Sequence, residues 1–279
     1  MQIKSYLSLV VLATFLSACH EDNEVTTTNN TSTLSLAANA YKGSTELAAQ
    51  TESNAKRFPT AAFAARDYFL NGGNLAASVP GLDTYGKDTC SNGGNVTQQT
   101  TIEQTTKLGS KQIQFNNCQI ADIIVDGPLH IDVTEYDAAS SMPTKLTMTY
   151  EGLKQTRQGS SVTLTGTVEA SQDYAARSVA LVVDGHLKSS SGQELLADIS
   201  VDIRGEIATR SAISTYSGKV CIDTEGCVEV STETPFTMQF NGEVKSGELI
   251  TTGANNGKVQ VVANYGSYQH SLITNNEGN

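Results

Sequence analysis

Aspartate and histidine side chains that could bind a divalent cation occur in two neighbouring segments of this sequence. Asp184 and His186 stand in the first segment, and Asp198 and Asp202 stand in the second. If residues 189–193 form the turn between them, Asp198 lies opposite Asp184 or, two residues out of that register, opposite His186. The first register sets two carboxylates side by side, which costs energy unless a cation intervenes, and the second makes an ordinary ion pair.

His130 and Asp132 belong to an earlier segment and fall on the same face of the expected sheet. Together the six residues form a weak candidate metal site. All of them except Asp184 are also candidates for a catalytic site, if several converge in a cleft. A solvated polar face is the simpler interpretation, because every one-sided sheet has one. No Gly-x-Ser-x-Gly or His-Glu-x-x-His motif is present. We therefore expect no catalytic residue, no metal and no cofactor.

The N-terminal residues have the three parts of an export signal. Lys4 precedes an apolar run from Tyr6 to Leu16, which is shorter than the roughly 20 residues of a membrane-spanning helix. The run ends in Leu16-Ser17-Ala18-Cys19, which resembles the lipobox of bacterial lipoproteins. The resemblance implies cleavage after residue 18 and a Cys19 that carries palmitate-type acyl chains. Residue 20 is His rather than Asp, which by the same resemblance favours the outer membrane. The alternative is an ordinary secretory signal that happens to end beside a cysteine.

Four further cysteines in an exported chain predict disulfide bonds. Three pairings are open, and pairing of neighbours in the sequence is favoured. Cys221 and Cys227 flank a polar segment that ends in Gly226 and suits a hairpin turn, so that their sulfurs would face each other across two strands. Cys90 and Cys118 would then close a longer loop. A zinc site or a redox pair is the alternative, but no Cys-x-x-Cys spacing is present.

Composition excludes several classes of partner. The chain carries 18 Lys and Arg against 29 Asp and Glu, a net charge of -11. This balance argues against nucleic acid and against adsorption to anionic lipid, so membrane contact is expected only through the N-terminal lipid. Residues 20–33 contain one apolar residue and predict a flexible tether.

Strict alternation of apolar and polar residues is the strongest structural pattern. It predicts antiparallel strands, each with one buried and one solvated face, at residues 129–133, 146–150, 162–168, 179–187 and 195–207. Extended to the whole region after about residue 96, it predicts 10–14 strands. Glycines at positions 152, 166, 205 and 218 are expected at bulges, and residues 234–236 are expected to open a strand.

The predicted fold is mainly all-β: one large curved antiparallel meander sheet, or an open barrel or sandwich, with an N-terminal helical segment on its apolar face. Helices are predicted at residues 44–57 and 60–70, interrupted by Pro59 and stopped by residues 71–73. The predicted domains are a signal peptide at 1–18, the lipidated cysteine and tether at 19–33, the helical segment at 34–74 and the β domain at 75–279.

Turn and cysteine motifs give the mature chain a further resemblance. Residues 90–94, residues 115–118, Asp126-Gly127 and the segment after residue 234 resemble uncharacterised β-rich lipoproteins of gammaproteobacteria over most of residues 88–265. The resemblance implies a lipid-anchored, cysteine-bridged β domain and carries no functional residue.

The expected function is a non-catalytic outer-membrane lipoprotein that acts as a binding, scaffold or adhesion module, with an envelope protein or a glycan as partner. One alternative is a carrier or sensor of a lipid-like ligand in a cavity of the curved sheet. A hydrolase with an unidentified site is the other.

Overall fold

The structure is a computed structural model that describes residues 35–77, 90, 92–120, 122–140, 142–206, 211–239 and 244–273. The expected signal peptide, Cys19 and the tether lie outside the described residues, so these predictions are not tested by it. Within the described ranges, no helix has the length and hydrophobicity needed to span a membrane.

One antiparallel meander sheet of 12 strands makes up most of the described chain. Each strand pairs with the strands before and after it in the sequence, and β1 and β12 form the two ends of a sheet that does not close into a barrel. The strands are β1 Asn95–Thr100, β2 Gly109–Ile120, β3 Ile123–Asp137, β4 Met142–Arg157, β5 Ser160–Asp173, β6 Ser178–Ser189, β7 Glu194–Glu206, β8 Ser211–Ile222, β9 Gly226–Gln239, β10 Val244–Thr252, β11 Lys258–Asn264 and β12 Ser267–Ile273. The all-β prediction and the strand number are confirmed.

Alternation along the strands separates an inner, apolar face from an outer, polar face. Leu129, Ile131 and Val133 of β3 are buried on the inner face, whereas His130 and Asp132 between them remain partly accessible on the outer face. Because successive side chains in a strand point to opposite sides, the same division extends over the sheet.

A long helix, α2 (Arg57–Ala77), covers the inner face and contacts β5 to β10. Its side chains Phe58, Ala62, Ala65 and Phe69 are fully buried in the main core. The prediction that a helical segment covers the apolar face is therefore confirmed.

The predicted helix boundaries were wrong in three respects. Pro59 lies in the first turn of α2, where the N–H that proline lacks would have no partner within the helix. The helix also continues through Gly72 and Gly73, each of which costs about 1 kcal/mol relative to Ala and does not forbid helix. Residues 44–56 form no regular helix: Glu46 and Ala48 pair with Cys227 at the end of the sheet, and residues 52–56 form turns.

Residues 35–48, called the strap here, run over the outer face and then around the end of the sheet. The strap begins with a short helix, α1 (Leu36–Ala40), which contacts β5 and β6. It leaves the outer face beside the β8–β9 turn, where the Ala48 N–H donates to the Cys227 carbonyl at 2.7 Å and the Cys227 N–H donates to the Glu46 carbonyl at 2.7 Å. The N-terminal segment thus covers part of both faces, whereas we expected it only on the apolar one.

Both expected disulfides are present, Cys90–Cys118 and Cys221–Cys227, and the latter joins directly opposite residues of the β8–β9 hairpin.

Of the four glycines expected at bulges, Gly152 lies at a register shift between β4 and β5. The other three pair in regular register, so the expectation of bulges there was wrong. Pro235 does not open a strand but lies within β9, at a bulge that leaves it without a ladder partner on either side.

Candidate functional site

A groove of about 630 Å³ lies on the outer face across β1 to β4. One straight row of cross-strand partners crosses it, formed by Gln99, Gln112, His130 and Thr149. Neighbouring strands are about 4.8 Å apart, so these four polar side chains are spaced at that interval across the groove. The strap contacts the outer face further along the sheet and contributes no residue to this lining.

A second, shorter row adds Thr97 of β1 and Gln114 of β2, which are also direct cross-strand partners. Glu151 of β4 is the one charged residue among the described side chains that line the groove, apart from the histidine. Amide, hydroxyl and imidazole groups each offer donors and acceptors. The groove can therefore form many hydrogen bonds while carrying little charge.

Partners within the chain orient two residues of the groove: the Gln114 amide donates to the Phe115 carbonyl at 3.0 Å, and His130 contacts Asp132. The His130 Nε2 lies 3.0 Å from Asp132 Oδ1, two residues along the same strand. This contact leaves Nδ1 available to a ligand, and about a third of the His130 side chain is accessible. The pair can position a hydrogen bond to a ligand.

The predicted cation-binding residues occupy the middle of the outer face. Asp184 of β6 lies opposite Asp198 of β7, which is the first of the two registers considered, and His186 lies opposite Leu196. Asp202 pairs with Ala180, four residues further along β7 than Asp198. Burial raises the pKa of Asp184 above its ordinary value, and the charge of Asp198 adds to the effect, while a hydrogen bond that Ser35 Oγ donates at 3.1 Å opposes it.

His186 is not available to a ligand, because Tyr41 of the strap lies edge-on to it at 6.1 Å and leaves its side chain almost fully buried. Its Nε2 lies 3.3 Å from Glu194 Oε2. Burial lowers the pKa of His186, and Glu194 opposes that shift. The residue contributes to attachment of the strap rather than to a site.

Across the part of the chain that the structure describes, no group of three or more His, Cys, Asp or Glu side chains is arranged to hold a metal ion. His130 and Asp132 stand on β3, whereas Asp184, Asp198 and Asp202 stand on β6 and β7 of the same face. The six candidates therefore stand on three strands, β3, β6 and β7, and they do not converge in one cleft.

The helix α2 fills the part of the inner face that it covers. Phe58, Ala62, Ala65 and Phe69 of α2 pack there against core residues of the strands. A carrier would need its cavity elsewhere on that face, so this alternative stays a prediction.

Sequence reasoning overlooked the four glutamines that line the groove, Gln98, Gln99, Gln112 and Gln114. A signal was present, since residues 97–101 are all glutamine or threonine and glutamine recurs at positions 112 and 114. That pattern could not show that β1 and β2 lie beside the His130 strand to form a concave surface.

Searches against protein-family models, curated proteins and solved structures found no match.

Proposed function

We propose that this chain is a lipid-anchored, non-catalytic binding module of the bacterial outer membrane, and that its binding site is the outer-face groove across β1 to β4. The observation that carries the proposal is which parts of the two sheet faces are covered by other elements of the chain and which part is open. The inner face is occupied by α2 and the middle of the outer face by the strap, whereas the groove has hydrogen-bonding side chains and is open.

The order of the chain supports an anchored module. The strap begins at Ser35, where the hydroxyl donates to Asp184 on the outer face. Residues 19–34 precede it, a span of up to about 50 Å if fully extended. Such a linker between a lipidated Cys19 and the strap would allow the domain to reach partners near the membrane in many orientations.

The anchor is tested by substitution of two residues at the proposed cleavage site. Cys19→Ser should abolish incorporation of labelled palmitate and move the protein from the outer-membrane fraction to a non-anchored pool, because no thiol remains to be acylated. His20→Asp should retain the label and shift the protein toward the inner membrane. An anchored, labelled Cys19→Ser protein would contradict the proposed anchor.

The binding site is tested by photo-crosslinking in intact cells. A photoreactive residue at position 112, in the groove, should give a discrete and saturable adduct, whereas one at position 269 should not. Gln269 is an exposed outer-face glutamine on β12, at the other end of the sheet, and provides a matched control. Identical patterns from both positions, or no adduct from position 112, would contradict a binding role for the groove.

A further inference from the structure

The groove combines many hydrogen-bonding groups with a single carboxylate among its described residues, that of Glu151. Gln99 and Gln112 are exposed, and their amides make no hydrogen bond to any part of the chain that the structure describes. Each amide offers two N–H donors and a carbonyl acceptor, and the Thr97 and Thr149 hydroxyls can donate or accept. The ligand that matches such a lining presents donors and acceptors together at close spacing.

The lack of cationic side chains in the described part of the groove argues against an anionic ligand. Neither Lys nor Arg is among the described residues of the lining, and the whole chain carries a net charge of -11. A phosphate- or carboxylate-rich ligand would meet no cation there and would be repelled by the protein as a whole. An apolar ligand would have to remove water from amides and hydroxyls without replacing their hydrogen bonds, which is unfavourable.

The shape of the groove favours an elongated ligand. The row from Gln99 to Thr149 crosses four strands, so that its polar groups extend over about 14 Å at the usual strand spacing. The volume of about 630 Å³ is within the range of ordinary ligand sites. The lining of the groove also includes Ile113, Pro128 and Leu129, so that a ligand would meet apolar surface beside the hydrogen-bonding groups.

We propose that the groove binds a neutral oligosaccharide, through hydrogen bonds from Gln99, Gln112, Gln114 and His130 to its hydroxyl groups. This inference rests on the proposed function and names the ligand class for the same site. A sugar hydroxyl both donates and accepts, as do the side chains that line the groove. His130, oriented by Asp132, supplies the contact with the most defined direction.

Binding can be measured on the full lipidated chain in detergent micelles. The probes are neutral tetrasaccharides of glucose and of N-acetylglucosamine, an acidic tetrasaccharide of galacturonic acid and a pool of extended peptides. We expect saturation-transfer NMR to detect binding of at least one neutral probe and none of the acidic probe. Gln99→Leu and Gln112→Leu should each weaken that binding at least tenfold, because a leucine of similar size makes no hydrogen bonds.

Gln269→Leu, which makes the same change on the outer face of β12, should leave binding unchanged, and circular dichroism would show that all three variants fold. Loss of binding in Gln269→Leu, equal binding of the acidic probe, or binding of the peptide pool alone would overturn the proposal. So would the absence of binding by every neutral probe. If photo-crosslinking in cells identifies a protein held at position 112, the binding module stands and the oligosaccharide assignment fails.

Discussion

At the scale of single residues, Phe69 can pack closely against the sheet because the residues beneath its ring are small. Gly185 lies beneath the ring, and its cross-strand neighbours Gly166 and Ala197 are also small. A Cβ atom on Gly185 would lie 2.1 Å from Phe69 Cε2. Tyr150, beside Gly166, meets the Phe69 ring edge-on at 5.1 Å and donates its hydroxyl to the Phe69 carbonyl at 2.9 Å. Burial raises the pKa of Tyr150, so this hydroxyl stays a donor.

Gly185→Ala should therefore destabilise the protein by about 1–3 kcal/mol, because the added methyl group and the aromatic ring cannot occupy the same space. Urea unfolding would measure the loss. The same substitution in a Phe69→Leu background should cost at least about 1 kcal/mol less, since the smaller side chain leaves room for the methyl group. Strictly additive effects of the two substitutions would contradict the proposed contact.

At the scale of elements, the buried carboxylate of Glu194 is a central attachment point of the strap on the outer face. Glu194 Oε1 accepts a hydrogen bond from Lys188 Nζ at 2.8 Å, and Oε2 accepts one from the Lys42 N–H of the strap at 3.1 Å. Lys188 above all, together with the Lys42 N–H and His186, holds the pKa of Glu194 below its ordinary value. Beside it, Tyr41 packs on the Cys221–Cys227 disulfide to form a second small core.

Glu194→Gln should weaken both the fold and the attachment of the strap, and the effect should depend on pH. Because the pKa of Glu194 is lower in the folded than in the unfolded state, its charge stabilises above about pH 4.5, and this contribution is lost as the pH falls through the folded pKa. We expect the variant to lose about 1–3 kcal/mol at pH 7 and almost nothing once Glu194 is protonated.

Urea unfolding at several pH values would measure the difference between wild type and Glu194→Gln, and hydrogen exchange of residues 35–48 would report on the strap itself. Glu52→Gln, at an exposed position before α2, is the matched control and should change neither. A deficit that is the same at pH 7 and at pH 3 would show that the charge of Glu194 does not act as described.

At the scale of the whole molecule, the chain surrounds its own sheet. The strap lies on the outer face, the chain turns at the β8–β9 end, and α2 returns along the inner face in contact with six strands from β5 to β10. Those strands pair only with their neighbours in the sequence, so α2, together with the strap, links distant parts of the meander. Helix and sheet should therefore unfold as one cooperative unit.

Hydrogen exchange under native conditions would test this cooperation. The amides of residues 61–69 in α2 should exchange with the same opening free energy as the central amides of β6 and β7, since neither can open without exposing the shared core. The edge strand β12 should exchange faster and serves as the internal reference. Exchange of α2 at the rate of β12 would show that the helix detaches independently of the sheet.

Local patterns in the sequence determined the strands and the cysteine pairs. Period-two alternation is a property of neighbouring residues, and for this reason β3 to β7 and the division into two faces could be predicted. The Cys221–Cys227 pairing was favoured for a similar reason, because one short turn separates the two residues. The register of β6 and β7 stayed open, since a shift of two residues keeps every side chain on its face.

Only the tertiary structure decided the features that join distant residues. Residues 44–57 contain helix formers, yet Glu46 and Ala48 pair through their backbone with Cys227 and the long helix begins only at Arg57. The fit between Phe69 and Gly185 depends on two segments that are remote in the sequence. The groove likewise exists because β1 to β4 lie side by side on a curved sheet, which no single segment specifies. The alternation predicts on which face of the sheet each side chain lies, but only the tertiary structure shows which residues it contacts there.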